Sequence, residues 1–335
     1  MKTLSNISVK NKEEKKIMQA AVITEPRTVE MQAVPIPEPA DDEVRVRLEG
    51  CGLCASDLPV WEGRTWFSYP RKAGSPGHEA WGRVDAVGKK VKAVRPGCRI
   101  TGLFYNAYAE YDIAKETEVI ELPQNLSDRP FPGEPLGCAM NIFHRCSIKR
   151  GDKVAIVGIG WLGSLLVQMA RHAGATVIAL SRRTSSLEKA AELGADYTFP
   201  IEDHEEITDR VETITGGDFC DCVIEAAGKQ ETLDLAGRLT GIRGQLVIAG
   251  YHQNGRREVD MQLWNWRGID VINAHEREPA TYVQGMRKAI SCISKGILDP
   301  FPLLTHTFPF SDIGSAFVMQ QQKPEGFTKA ILRFD

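Results

Sequence analysis

Apolar and polar residues alternate along the first third of the chain. Residues 44–48 read VRVRL, a period of two that predicts a half-buried strand, and residues 81–94 show a similar pattern with glycines at 82 and 88. Proline and glycine are frequent between residues 35 and 76, and few segments show helical spacing. These patterns predict that residues 18–120 are rich in β-structure.

Short apolar runs begin to alternate with segments of helical spacing near Gly151. Residues 153–157 predict a buried strand, and apolar residues at 162, 165, 166 and 169 predict a helix that ends at Gly174. The alternation continues with strands predicted at 176–180, near 197, and at 221–225, 245–249 and 269–273, and with helices at 186–193, 205–215, 230–239 and 282–295. This alternation predicts an α/β fold with a doubly wound parallel sheet.

The β-rich texture returns after Gly296. Strands are predicted at 302–308 and 329–334, with a short helix at 312–321 between them. This tail is expected to fold back onto the first β-rich part of the chain.

Length and composition indicate a globular chain of about two domains. The chain has 335 residues, of which 42% are hydrophobic and 25% charged, and a domain usually takes ~150 residues. The net charge of −3 argues against nucleic-acid binding through a basic field. The longest uncharged run, residues 154–170, is broken by glycines and is shorter than the ~20 residues that a membrane helix needs. Neither a nucleic-acid partner nor a membrane partner is therefore expected.

The N-terminal segment predicts a cytoplasmic protein. Residues 1–17 are polar and lysine-rich and lack the apolar core of a secretory signal, so they are interpreted as a flexible arm. The eight cysteines are then expected to be reduced thiols or metal ligands rather than a disulfide framework.

The sequence GIGWLG at residues 158–163 follows a predicted strand and opens a predicted helix. In that context, its GxGxxG spacing predicts a dinucleotide-binding turn, and a plain turn is the alternative. Gly158 permits the tight turn, Gly160 lets the backbone approach a pyrophosphate, and Gly163 allows the helix to pack closely on the strand. Trp161 and Leu162 complete the predicted cofactor-binding segment.

The end of the second strand of this unit carries no acidic residue. An Asp or Glu about 20 residues after the glycines would hold the ribose 2′-hydroxyl of NAD. Here Ser181 occupies that place and is followed by Arg182 and Arg183. Because guanidinium groups bind a 2′-phosphate, the sequence favours NADP(H) over NAD(H), and a solvated arginine pair is the alternative.

A cysteine, a histidine and several carboxylates could form a metal site. Cys54 lies three residues before Asp57, His78 and Glu79 are adjacent, and Glu134 follows later. A thiolate, an imidazole and one or two carboxylates suit a Zn²⁺ site that keeps a position open for substrate. Asp57 could accept the free N–H of a ligating His78 and fix its tautomer. Spacing alone leaves open two idle thiols at Cys51 and Cys54 and a surface His–Glu pair.

Together these motifs resemble the zinc-dependent medium-chain dehydrogenase/reductase family of alcohol, sorbitol and threonine dehydrogenases. The resemblance runs from residue 18 to residue 334 and rests on GLCASD (52–57), GHEAWGRVDAVG (77–88), EPLGCAMN (134–141), GDKVAIVGIGWLG (151–163), LGAD (193–196) and IEAAG (224–228). It implies a GroES-like catalytic domain formed by residues 18–147 and 298–335, and a Rossmann dinucleotide-binding domain formed by residues 148–297.

The resemblance also assigns roles to single residues. Cys54 and His78 are implied to be zinc ligands, and Glu134 stands where family members carry a third protein ligand. Glu79 matches a carboxylate that some members bring onto the metal, and Ser56 matches the hydroxyl that passes the substrate proton away. Three further residues are expected to line the nicotinamide side of the cofactor: Ala249, Gly250 and Tyr251.

The chain departs from the family pattern at several places. The segment after Cys98 lacks the four-cysteine lobe of many members, so one catalytic zinc and no structural zinc are expected. Pro59 stands where many members carry a histidine in the proton path. Cys138 lies four positions after the ligand place and is interpreted as packing. Trp161 is bulky for a glycine turn and would either cover the pyrophosphate or pack outward.

The implied activity is hydride transfer between a secondary alcohol and a ketone, with a polyol, sugar or cyclitol as the favoured substrate class. A homo-oligomer, either a dimer or a tetramer, is expected. The alternatives are a zinc-free NADPH quinone or enoyl reductase and a catalytically silent dinucleotide-binding protein. Several residues are candidates for the substrate cleft, with core packing or solvation as the other interpretation: Trp61, Trp66, Phe67, Tyr69 and 275–277.

Overall fold

The computed structural model describes residues 16–334. Its strands are β1 (Ile17–Glu25), β2 (Thr28–Pro35), β3 (Glu43–Gly52), β4 (Glu79–Val87), β5 (Arg99–Gly102), β6 (Tyr111–Lys115), β7 (Val119–Glu121), β8 (Lys153–Val157), β9 (Thr176–Ser181), β10 (Tyr197–Pro200), β11 (Cys220–Glu225), β12 (Thr240–Ile248), β13 (Asp270–Asn273), β14 (Leu304–Pro309) and β15 (Lys329–Arg333). Its helices are α1 (Leu58–Glu62), α2 (Gly133–Arg145), α3 (Trp161–His172), α4 (Thr184–Glu192), α5 (His204–Thr215), α6 (Gln230–Leu239), α7 (Met261–Arg267), α8 (Pro279–Ser294) and α9 (Ile313–Gln322).

The first fifteen positions of the predicted arm lie outside the described residues. The predicted arm extends to residue 17, but Ile17 is already the first residue of β1 and pairs with Pro35 of β2. Among the helices within residues 16–334, none is long and apolar enough to cross a membrane.

The middle of the chain forms a parallel sheet with strand order β10-β9-β8-β11-β12-β13. Its central strands are mostly apolar and buried, as expected for a parallel sheet whose two faces are covered by helices. Ile156 and Ile224, for example, are fully buried in the same core as Leu165 of α3. The predicted α/β class with a doubly wound parallel sheet is confirmed, and β8 and α6 have the predicted bounds.

The two ends of the chain share a second sheet, ordered β14-β15-β3-β4-β5-β7, in which β6 also pairs with β3. The last strand, β15, runs antiparallel to β3, with Leu332 opposite Cys51. The tail therefore folds back onto the first β-rich part, as the sequence predicted. In the next pair of this sheet, Gly52 at the end of β3 lies opposite Glu79 at the start of β4.

The structure differs from the sequence prediction in the bounds of two strands and in three additional helices. Strand β4 ends at Val87, so residues 88–94 do not continue it. Strand β12 begins at Thr240, five residues before the predicted start. Helices α1, α2 and α7 were not predicted, and α2 is the most consequential because its first turn carries Glu134.

Helix α2 owes its position to tertiary contacts. It packs along α8, and Gly285 of α8 comes so close that a Cβ there would lie 2.6 Å from the Gly137 carbonyl oxygen. At its N-terminus, the Gly133 N–H donates to the Thr101 hydroxyl at 3.1 Å, and that hydroxyl donates to the Ala80 carbonyl at 2.9 Å. This chain of bonds ties the first turn of α2 to β5 and β4.

Candidate active site

Three side chains that could hold a metal ion meet where β3 ends and β4 begins. Cys54 follows β3, His78 precedes β4, and Glu79 is the first residue of β4. One ligand atom from each of the three lies within 4.8 Å of the other two. A sulfur, an imidazole nitrogen and a carboxylate oxygen are the donors that zinc prefers, and three protein donors leave a coordination position for substrate. The residues present therefore fit a catalytic zinc.

Asp57 and Tyr108 lie behind the histidine. Asp57 Oδ1 is 3.4 Å from His78 Nδ1, and the Tyr108 hydroxyl donates to Asp57 Oδ2 at 2.5 Å. His78 Nδ1 also lies 2.9 Å from the Pro76 carbonyl oxygen. These contacts engage Nδ1 and leave Nε2 as the nitrogen that is free to face a metal. Burial alone lowers the pKa of His78, but Asp57 and then Cys54 outweigh it and raise that pKa above its usual value.

Lys329, at the start of β15, forms a buried ion pair with Glu79. Its ammonium lies 2.8 Å from Glu79 Oε1 and 2.5 Å from Oε2, and it donates to the Leu53 carbonyl at 3.0 Å. The side chains of both partners are at least 95% buried. Burial alone lowers the pKa of Lys329, but the facing Glu79 carboxylate reverses this effect and raises it. Sequence reasoning missed Lys329, whose only signal was a lysine at the start of an apolar strand.

Gly52 provides the space for this ion pair. A Cβ at that position would lie 2.1 Å from Glu79 Oε2 and 3.1 Å from Lys329 Cε. A larger residue would push the carboxylate away from the ammonium. The glycine that begins the GLCASD motif is therefore required by the partner across the sheet.

Glu134 lies near this group but outside the set of three whose atoms are within 4.8 Å. Burial raises the pKa of its carboxyl, while the neighbouring His78 opposes that shift. Its Oε1 lies 3.5 Å from the Cys138 thiol, which is also 3.5 Å from the Tyr282 hydroxyl. The interpretation of Cys138 as simple packing was therefore incomplete, since its thiol has two polar neighbours beside the site.

The glycine turn has the geometry that a dinucleotide site needs. Gly158 has φ of +108°, and a Cβ on Gly163 would lie 2.1 Å from the Gly158 carbonyl oxygen. A Cβ on Gly160 would meet no protein atom within 4 Å, so protein packing does not explain this glycine. Open space at the N-terminus of α3 fits a pyrophosphate. Leu162, in the first turn of α3, packs against the core.

Trp161 connects this turn to the metal-ligating group. Its indole packs against the core, and the Lys329 ammonium lies 5.3 Å from the centre of its ring, within cation–π range. Of the two interpretations offered for Trp161, the structure shows inward packing beside the ion pair rather than outward packing. The cofactor turn and the metal-ligating residues are thus joined through Lys329.

The other predicted cofactor residues lie at the carboxyl ends of neighbouring strands. Ser181 ends β9 and accepts a hydrogen bond from the Arg183 N–H at 3.3 Å, while Arg182 is exposed. Ala249 and Gly250 follow β12, and the exposed ring of Tyr251 stacks on His275 at 5.5 Å. The ends of β8, β9 and β12 thus face the edge of the sheet at which such folds bind dinucleotides.

Comparisons with known proteins agree with this geometry. The family described as "Zinc-binding dehydrogenase" matches residues 162–291, and the "Alcohol dehydrogenase GroES-like domain" matches residues 40–124. The chain belongs to the zinc-binding alcohol dehydrogenase family. The predicted family is confirmed. The prediction that the protein is an alcohol dehydrogenase that acts on CH–OH groups is confirmed as well.

Similar proteins match most of the length of this dehydrogenase. A sorbitol dehydrogenase from Halalkalibacterium halodurans is 27% identical over 320 residues, covering 86% of this chain and 91% of the relative. D-arabitol-phosphate dehydrogenase from Enterococcus avium is 26% identical over 335 residues, covering 87% and 93%. A structure described as a zinc-binding dehydrogenase from Sinorhizobium meliloti 1021 bound to NADP has a TM-score of 0.81 at 26% identity, covering 95% of this chain and all of that one.

The aromatic candidates for the substrate cleft of the dehydrogenase differ in how far they are buried. Trp61 is buried and stacks on Phe317 with ring centres 5.0 Å apart, so it belongs to the core. Phe67 and Tyr69 pack partly against the same core, whereas Trp66 is exposed.

The charged segment at residues 275–277 has a local role. Glu276 Oε1 accepts the N–H groups of Arg277 at 2.7 Å and Glu278 at 2.9 Å, just before α8. This carboxylate therefore satisfies backbone donors at the start of the helix. Ser56 is half-buried on the turn between Cys54 and Asp57, two residues after the cysteine of the candidate metal site.

Proposed function

We propose that this protein is a zinc-dependent, NADP(H)-preferring oxidoreductase that interconverts a secondary alcohol of the polyol, sugar or cyclitol type and a ketone. The carrying observation is the cluster of Cys54, His78 and Glu79, joined through Lys329 to Trp161 of the glycine turn. A zinc-dependent hydride transfer requires the substrate to meet the metal and the dinucleotide together, and this arrangement supports that.

The side chains have distinct tasks in this proposal. Cys54, His78 and Glu79 hold the metal, which when bound supplies Lewis-acid polarisation of the substrate oxygen. Asp57 keeps the imidazole oriented through its contact with Nδ1. The hydroxyl of Ser56, two residues from the thiol, receives the substrate proton during oxidation. The single catalytic zinc, without a structural zinc, is part of the proposal.

The cofactor preference rests on the end of β9. Ser181 cannot repel a 2′-phosphate as a carboxylate would, and Arg182 and Arg183 bring two positive charges to that place. The metal-ligating set favours this function over a zinc-free quinone or enoyl reductase. The cytoplasmic location stays a prediction.

The substrate class is tested by turnover of the zinc-loaded protein with sorbitol, D-arabitol, galactitol and ethanol, each with NADP⁺ and NAD⁺. We expect oxidation of at least one polyol, with kcat/KM for NADP⁺ about 10- to 100-fold above NAD⁺, the size of one or two charge-assisted hydrogen bonds. Turnover of ethanol without any polyol would contradict the substrate class, and equal use of both cofactors would contradict the preference.

We also propose a homo-oligomer, either a dimer or a tetramer, formed through the edge of the parallel sheet. Within the described part of the chain, β13 has no strand on its outer side, and it exposes 43% of Val271. Trp266 of the preceding helix is 87% exposed. An exposed edge strand beside apolar side chains favours pairing with another strand.

Light scattering tests the oligomer. We expect a multiple of 37.1 kDa for the wild type and a shift toward the single chain in Val271→Lys. Val318→Lys, a change at an exposed position of α9, is the matched control and should leave the mass unchanged. A wild-type mass of one chain would overturn the proposal.

A further inference from the structure

A loop near the C-terminus meets the end of β9, where the proposed 2′-phosphate would bind. The Arg183 guanidinium donates to the Phe327 carbonyl. The Ser185 N–H donates to Glu325 Oε2 at 3.1 Å, and the Ser185 hydroxyl accepts from the Gly326 N–H at 3.0 Å. Residues about 140 positions apart in sequence thus share three hydrogen bonds at this corner.

The Glu325 carboxylate lies at this corner, beside the end of β9. It accepts from the first turn of α4, where unpaired N–H groups and the helix dipole attract an anion. Hydrogen bonds from Ser185, together with the charge of Arg183, hold the pKa of Glu325 below its usual value, so it is ionised at neutral pH. An anion therefore already sits beside the arginine on which the cofactor preference rests.

The Glu325 carboxylate changes how the absence of an acidic residue at the end of β9 is interpreted. Ser181 replaces the acidic residue expected at the end of β9, and on sequence alone that replacement favours a phosphorylated ribose. In the folded chain, a carboxylate from residue 325 returns a negative charge to the same corner. Neither Glu325 nor its loop is part of the glycine turn or of the metal-ligating set.

We propose that Glu325 is a specificity-determining residue that weakens binding of the 2′-phosphate of NADP(H) by occupying the Ser185 N–H at the N-terminus of α4, near the Arg183 guanidinium. The inference rests on the proposed cofactor site and refines it. A 2′-phosphate would accept from the Ser185 N–H only in place of Glu325 and would be repelled by its charge, whereas a free ribose hydroxyl brings no charge that the carboxylate opposes. Arg182, which is exposed, stays available to either cofactor.

Binding of cofactor fragments to the full-length protein tests the inference. Calorimetry would compare 2′,5′-ADP, which carries the 2′-phosphate, with 5′-AMP, which lacks it. In Glu325→Gln we expect the ratio of the two affinities to shift about tenfold toward 2′,5′-ADP, as relief of one close like-charge contact implies. The affinity for 5′-AMP should change less than about twofold, and thermal melting should show the same fold stability for both proteins.

Glu188→Gln is the matched control, because it removes one negative charge from an exposed position of the same helix. An unchanged affinity ratio in Glu325→Gln overturns the inference, and so does an equal shift in Glu188→Gln, since that would reflect net charge alone. The outcome of this binding test does not depend on whether the proposed cofactor preference is correct. A wild type that favours NAD⁺ contradicts that preference, while the ratio in Glu325→Gln still decides the role of Glu325.

Discussion

Cys54→Ala should contain no stoichiometric zinc and should lose roughly 10³-fold or more of kcat/KM, because Lewis-acid stabilisation contributes several kcal/mol to the transition state. Cys54 supplies the one sulfur donor among the three residues whose ligand atoms lie within 4.8 Å of one another. The remaining imidazole and carboxylate are too few ligands for a stable tetrahedral site. Metal analysis of the purified protein is the first measurement, and turnover with a polyol is the second.

The control for this prediction is Cys98→Ala. Cys98 is also a free, half-buried cysteine in the first part of the chain, but it packs against the apolar core. That variant should keep about one zinc per chain. A full zinc equivalent in Cys54→Ala would show that the metal, where present, is held by other residues, and the assignment of the site would be wrong.

Much of the parallel-sheet part could be predicted because its signals are local. The apolar run at 153–157 and the helical spacing at 230–239 describe buried elements whose faces the sequence itself reveals. Helix α2 gave no such signal. Its position depends on α8 and on the hydroxyl of Thr101, more than 30 residues before it, so tertiary contacts outweigh its weak local pattern.

Part of the candidate site could likewise be predicted from the sequence, and part of it could not. Cys54, His78 and Glu79 lie in two short motifs, and the pairing of β3 with β4 brings those motifs together. Their role as ligands stays a prediction until metal is measured. Lys329 and Glu325 could not be found from the sequence, since their partners lie 250 and 140 positions away and no local pattern marks either one.

Lys329→Met should cost about 3–5 kcal/mol of the free energy of unfolding in the metal-free protein, the usual effect of removing one partner from a buried ion pair. Glu79 is fully buried, and Lys329 is the cation that contacts both of its oxygens. Without that cation, the carboxylate must either stay charged without a partner or take up a proton. Urea denaturation at neutral pH, compared with Lys115→Met at the exposed end of β6, would measure the loss.

Two further measurements separate the ion pair from simple loss of packing. The double variant Glu79→Gln/Lys329→Met should recover most of the lost stability, because removing both charges leaves no unpaired charge in the core. Zinc should reduce the loss in Lys329→Met, since a metal held by Cys54, His78 and Glu79 replaces the missing positive charge beside the carboxylate. A cost below about 0.5 kcal/mol for the single variant, or no recovery in the double variant, would mean that the pair does not stabilise the site. If zinc reduces the loss, Glu79 is the side chain shared between the metal and Lys329, and through Lys329 the metal is linked to the indole of Trp161 in the cofactor turn.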